Sequence, residues 1–255
     1  MDIITELTAG VFRLQMNRPE KKNALTHAMY SEMASALEAA DRDPEVRVIL
    51  VHGHPDAFSS GNDLGDFLHS PPPAKGSPVL DFISAISAAS KPIVAAVSGP
   101  AVGIGVTMLL HFELVYAAET TRFQLPFVNL ALPPEAGSSL LLPARIGYGR
   151  AAELLMLGEP FSAATALQSG LITAIAADGE AALSAAKAAA EKLAAKPAAA
   201  LRLTKSLMKQ GVAEALARQV RDEAGGYAQQ LRSPEAAEAM KAFFEKRPPN
   251  FVQFT

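Results

Sequence analysis

Residues 91–137 read KPIVAAVSGPAVGIGVTMLLHFELVYAAETTRFQLPFVNLALPPEAG, and the fold follows from how this stretch is parsed. The run 93–97 is short, apolar and partly β-branched, with Pro92 before it and Ser98-Gly99-Pro100 after it, as expected of a buried strand. Gly103-Ile104-Gly105 then opens a short apolar segment long enough for about two helical turns. Strand character returns over 112–118. A strand, a glycine turn and a helix start bring unpaired backbone N–H groups to one point, which suits an anion or a developing oxyanion. A single acid, Glu135, follows behind a proline pair.

Working outward, 3–8 and 11–16 resemble a strand hairpin joined at Ala9-Gly10, and 17–23 form a loop. Met29, Met33, Ala36, Leu37 and Ala40 recur at helical spacing over 26–40, with Thr26 as a candidate N-cap. A buried strand is predicted over 46–51 and a helix over 80–90. Prolines 71, 72, 73 and 78 exclude regular structure between them. Alternation of strand and helix through residue 118 implies a layered α/β core.

Helices dominate after Glu135. They are predicted over 137–146 and 150–157, then over 163–168 with Ser162 as cap, followed by a strand over 171–176. The alanine-rich segment 179–200 reads as helix, since alanine has the highest helix propensity. Three more helices, about 197–210, 212–230 and 234–245, precede the tail. The natural division is a core over 1–195 and a helical region over 196–255 suited to subunit contacts.

Composition narrows the function classes. With 49% hydrophobic and 19% charged residues the chain is too apolar for disorder, and no apolar run is long enough to span a bilayer. The N-terminus lacks a basic stretch followed by an apolar one, so a soluble cytoplasmic protein is expected. A net charge of -3 gives no basic excess for gripping phosphates of a nucleic acid. Without cysteine there are no disulfides, thiolate nucleophiles or zinc-thiolate sites.

Several residues are candidates for chemistry. The third glycine of a dinucleotide fingerprint would fall at Met108, where a large side chain crowds helix against strand. Glu119 stands at a tolerable distance for a ribose acid, so a dinucleotide turn stays open beside the two other readings of Gly103-Ile104-Gly105, a packing turn or a turn presenting the N–H of Ile104 to a ligand. Ser59-Ser60-Gly61-Asn62-Asp63-Leu64 offers a second turn after a strand, whose Ser60 N–H is expected to converge with that of Ile104. No Gly-x-Ser-x-Gly elbow surrounds Ser60, which argues against a nucleophile. The histidines show no metal-ligand spacing and read as surface or loop residues, so no metal is expected. Glu135 is either an exposed first-turn glutamate on a helix dipole or a carboxyl in an apolar pocket, and local sequence leaves both open.

Taken together these segments resemble the crotonase, or enoyl-CoA hydratase/isomerase, superfamily over nearly the whole chain. The resemblance rests on Asn17-Arg18-Pro19 with Asn23-Ala24-Leu25, on 58–64, on 91–99 with 101–105, on 151–158, on Ser162-Ala163 with Ala166, on Gly170-Leu171-Ile172 and on 244–247. It implies an α/β spiral of repeated ββα turns, a C-terminal helical region that builds a homotrimer or dimer of trimers, and an acyl-CoA thioester as ligand. No separate cofactor is implied, because coenzyme A is part of the substrate. It further implies that the thioester oxygen is held by the N–H groups of Ser60 and Ile104. Lys21, Lys22, Lys246 and Arg247 become candidates for the phosphates, Asp63 and Leu64 for the adenine end, and Leu68 with the proline loop for the acyl tunnel. The two glutamates of family hydratases fall here at Thr107 and Phe127, neither of which can handle a water. The isomerase branch instead carries its acid in a Pro-Glu-x-Gly-Ser segment, which Pro134-Glu135-Ala136-Gly137-Ser138 resembles. The resemblance therefore implies a delta3,delta2-enoyl-CoA isomerase with Glu135 as its base, a hydratase or a non-catalytic acyl-CoA binder being the alternatives.

Overall fold

The computed structural model describes residues 1–69 and 76–254. Its strands, in chain order, are β1 (Ile3–Thr8), β2 (Val11–Met16), β3 (Val48–His52), β4 (Ile93–Val97), β5 (Pro100–Val102), β6 (Leu114–Ala118), β7 (Arg122–Gln124), β8 (Phe161–Ser162) and β9 (Ala174–Ala176). The helices are α1 (His27–Arg42), α2 (Leu64–His69), α3 (Pro78–Ala88), α4 (Ile104–Thr107), α5 (Ser138–Ile146), α6 (Tyr148–Ala152), α7 (Ala163–Gln168), α8 (Gly179–Ala194), α9 (Ala198–Gln210), α10 (Ala213–Gln230) and α11 (Pro234–Phe244).

Six strands form one sheet in the order β1-β2-β3-β4-β6-β9, parallel throughout except for the opening β1/β2 hairpin. The central strands β3 and β4 are buried along their whole length, so both faces must be covered. Ile49, Val51, Ile93, Ala95 and Val97 turn to the main core with α1 and α3. The alternate residues Val48, Leu50, Val94 and Ala96 meet α8 through Ala186 and Ala190, whose small side chains let that helix lie close.

A second sheet, β5-β7-β8, makes the fold a spiral. Each turn contributes a strand to the large sheet and the next strand to the small one, as β4 then β5, and β6 then β7, before a helical segment. In the preceding turn the second strand shrinks to one parallel bridge, Ser59 to Ala101. This is the ββα repeat that the sequence resemblance implies.

The expected caps form: Thr26 Oγ1 accepts from Met29 N at 3.3 Å, and Ser162 Oγ from Thr165 N at 3.1 Å. Of the boundaries that differ from expectation, two have a plain cause. The alanine-rich helix stops at Ala194, because Pro197 lacks an N–H and restricts Lys196 before it, and a separate helix starts at Ala198. The strand expected over 171–176 is paired only from Ala174, its first part being spent on the turn that ends α7. Among the described residues no helix is long and apolar enough to cross a membrane. Residues 70–75, most of the proline stretch, and the Leu68 side chain lie outside the described residues, so the acyl tunnel expected there goes without a structural account.

Candidate active site

Two turns approach each other through the bridge at Ser59 and Ala101. Ser59 N donates to Pro100 O at 3.1 Å and Val102 N donates to Ser59 O at 2.9 Å, so the two segments run in parallel register. Glycine makes the approach possible. A Cβ on Gly61, at φ +90°, would sit 3.0 Å from Val102 O, and one on Gly105 would sit 2.9 Å from Ser59 O. Three residues beyond the bridge on each side lie Asn62 and Ile104.

The N–H expected of Ser60 is not free. It donates to Lys22 O at 2.9 Å, while its hydroxyl donates to Lys21 O at 3.2 Å. The open donor of this turn is Asn62 instead. Leu25 N donates to Gly61 O and Asp63 N donates to Leu25 O, so the ladder uses the residues flanking Asn62 and turns its N–H to the opposite side. Ile104 is the first residue of α4, where an N–H has no partner within the helix. Neither N–H finds an acceptor among the described residues, and both residues line one cleft of about 660 Å³.

Glu135 also lines this cleft, and a second, narrow cavity of about 50 Å³ behind it. It is 7% exposed, not the surface glutamate that a first-turn position allowed, and its Oε1 is buried with no hydrogen-bond partner. Burial and the nearby Glu223 push its carboxyl up to about 8, against a weaker opposing pull from the Asn62 side chain. The Tyr30 hydroxyl donates to Asn62 Oδ1, which turns the amide nitrogen of Asn62 towards the remaining neighbours. Tyr227 of α10 completes the polar surround, and burial keeps its hydroxyl protonated. The hydratase positions are apolar or mute: Phe127 is on the cleft wall, and Thr107 is fully buried with Oγ1 unpartnered and away from the cleft.

The residues expected at coenzyme A divide. Ser60, Lys21, Asp63, Leu64 and Arg247 line the large cleft, whereas Lys22 and Lys246 do not. Lys22 serves through its carbonyl, and Lys246 is an exposed residue in a left-handed turn at φ +53°. Arg247 has its guanidinium committed to Glu238, at 2.6 and 3.0 Å, and to Glu245 at 2.6 Å. Asp63 is a structural carboxylate: burial raises it, but Arg18 at 2.7 Å and the N–H groups of Asp66 and Gly65 outweigh that and hold it below its usual range.

Two histidines correct the expectation of surface positions. His52 and His111 are both buried. Burial lowers His111 to about 4, so it is neutral; Ser87 Oγ lies 3.2 Å from Nδ1, and Nε2 donates to Ala136 O at 2.8 Å. It thereby fixes the peptide next to Glu135. Among the described residues no group of three or more His, Asp or Glu is placed to hold a metal.

Comparison with known proteins accords with this architecture. The family profile described as Enoyl-CoA hydratase/isomerase matches residues 6–254. The human protein named enoyl-CoA delta isomerase 2 is 39% identical over 176 residues, which cover 66% of this chain and 44% of that one. This chain thus spans less than half of that relative's length. A protein of Escherichia coli K12 named 1,2-epoxyphenylacetyl-CoA isomerase is 32% identical over 257 residues, 98% of each chain. Among solved structures, an enoyl-CoA hydratase/isomerase from Pseudoalteromonas atlantica T6c superposes with a TM-score of 0.93 at 38% identity, covering 98% of this chain and 100% of that one.

Proposed function

Because the chain belongs to the enoyl-CoA hydratase/isomerase family, we propose that it is a delta3,delta2-enoyl-CoA isomerase that moves the double bond of a 3-enoyl-CoA into conjugation with the thioester. One observation carries the reading. A single buried carboxyl with an unpartnered oxygen, Glu135, shares a cleft with the two open amides of Asn62 and Ile104.

In this mechanism ionised Glu135 removes a proton from C2, breaking the C2–H bond. The electron pair spreads through the thioester and the 3,4 double bond as a dienolate. Its oxygen accepts hydrogen bonds from Asn62 N–H and Ile104 N–H, main-chain donors that need no reorganisation as charge develops. The protonated carboxyl then returns the proton to C4, leaving the double bond between C2 and C3. One acid suffices, because removal and return occur in sequence. A carboxyl whose affinity for protons has been raised by burial is a stronger base once ionised. Phe127, where a hydratase would have an acid, keeps water from competing. The chemistry draws on no resident cofactor.

The full-length similarity to a protein named 1,2-epoxyphenylacetyl-CoA isomerase favours a second reading, another single-acid isomerisation of an acyl-CoA in the same cleft. Lys21 is the basic side chain on the cleft wall available to the coenzyme A end, the Arg247 guanidinium there being already paired with Glu238 and Glu245. Leu203, Leu207 and Met208 on α9 leave large apolar surfaces exposed, which supports assembly into trimers or dimers of trimers through the helical region 196–255. The deciding assay follows the gain of conjugated enoyl-thioester absorbance from a 3-enoyl-CoA, with crotonyl-CoA hydration measured alongside. Turnover lost in Glu135→Gln supports the isomerase. Near wild-type turnover in that variant, or hydration as the dominant activity, overturns it.

A further inference from the structure

Glu223 of α10 is a second buried carboxylate beside the first, and the isomerase mechanism does not use it. It is 6% exposed, although the sequence around it gives no sign of a core position. Its Oε2 accepts from Gly137 N at 2.6 Å, and its Oε1 accepts from Ser139 N at 2.9 Å and from the Ser139 hydroxyl. Gln219, one turn earlier on α10, donates to that same hydroxyl oxygen at 2.8 Å. Glu223 thus binds the first amides of α5, the very turn that carries Glu135. That turn is contorted, with Ala136 at φ +62° and Gly137 at φ +70°. A Cβ on Gly137 would come within 2.2 Å of Leu216 Cδ1, so glycine there is what lets α10 close down on it.

The two carboxyls share an apolar surround but not their partners. Burial raises both carboxyls above their usual range, but Glu223 receives three donors that pull it back down, whereas Glu135 has an oxygen with none. When two acids sit together and only one can ionise cheaply, the better hydrogen-bonded one keeps the charge. The other titratable groups facing the turn do not compete. Tyr30 from α1 and Tyr227 from α10 are raised by burial and stay protonated, and His111 is neutral above about pH 4.

We propose that Glu223 is a positioning residue for Glu135: it anchors the 135–139 turn by its amides and keeps a negative charge beside Glu135, so that Glu135, once ionised, holds more firmly the proton it takes from C2. The helical region 196–255 then contributes to the chemistry itself and not only to assembly. This inference rests on Glu135 being the base of the proposed isomerase, yet its test can be read without turnover.

The test follows the Glu135 side-chain carboxyl by ¹³C NMR in the full-length, glutamate-labelled protein, the signal being assigned by its loss in Glu135→Gln. In the wild type the midpoint is expected at about 8. Glu223→Gln removes the like charge while keeping the shape, and is expected to lower that midpoint by about one unit or more. Should Glu223→Gln fail to fold, Ser139→Ala, which takes away a donor that stabilises the Glu223 charge, is expected to shift it in the same direction by less. Glu113→Gln, which alters a partly buried carboxylate outside the cleft, is expected to leave it in place. A midpoint unchanged in Glu223→Gln, or in Ser139→Ala where that variant stands in for it, overturns the proposal. The same shift obtained in a protein that does not turn over 3-enoyl-CoA supports the inference while sinking the isomerase reading.

Discussion

Glu113 is a partly buried glutamate and Glu135 a fully buried one, and the protein treats them in opposite ways. Glu113 immediately precedes β6, with Oε2 accepting from Ile93 N at 2.7 Å and from Lys205 Nζ at 3.0 Å, while Lys209 Nζ lies 3.9 Å from Oε1. Among the described residues Glu135 has no cation paired with it; it has one unpartnered oxygen and another carboxylate as neighbour. Full pairing makes a carboxylate inert and ties α9 to the sheet. Deprivation makes a carboxyl reactive at a cost in stability, and that cost is the mark of a working group.

Replacing the two residues in turn separates these roles. Glu135→Gln should lower kcat for the 3-enoyl-CoA by on the order of 10²- to 10⁴-fold, the usual contribution of a general base, with KM little changed. Retained kcat would erase the distinction from Glu113. The next effect concerns the amide at the other wall of the cleft. Ile104 occupies the first position of α4, where proline is tolerated, so Ile104→Pro removes the donor without breaking a helical bond. Steady-state kinetics should show a loss of about 100- to 1,000-fold in kcat while circular dichroism stays native.

Glu113→Gln probes the opposite pole. It leaves Lys205, almost wholly buried, and Lys209 without their shared carboxylate, and urea unfolding should show a loss of about 3 kcal/mol. Turnover per folded molecule should stay within about twofold, since local stability effects away from a site need not reach the barrier. A Glu113→Gln variant that is stable but inactive would mean that the two carboxylates are coupled.

This contrast also explains what could be read before the fold was known. Strand runs such as 93–97, the caps Thr26 and Ser162 and the acid at Glu135 are local patterns, and local patterns survive in a sequence. The free amide at Asn62 is not local. Ser60 and Asn62 both follow the strand, and only the pairing of Leu25 with Gly61 and Asp63 decides which N–H faces the cleft. Glu223 and Tyr227 come from a helix far along the chain, and their one-turn spacing on α10 is the only trace they leave. Buried His111 was equally hidden, because a lone histidine in an apolar segment does not announce its partners.

The dependence of stability on pH tests the electrostatic claim directly. Glu135 binds its proton more tightly folded, at about 8, than at the ordinary carboxyl value of 4.5. Stability from this group is therefore fully present below about pH 4.5 and is lost as pH rises through about 8, because the unfolded chain can release the proton and the folded one cannot. Within that window the wild type should lose about 1.4 kcal/mol per pH unit relative to Glu135→Gln, which has no proton to hold. Urea unfolding of both proteins at about pH 5, 6, 7 and 8 gives the slope, with Glu223 present in each. Parallel curves would mean that Glu135 is already ionised across this range. A wild type that converges on and then falls below the glutamine variant would show that the folded protein sacrifices stability to keep this one carboxyl basic.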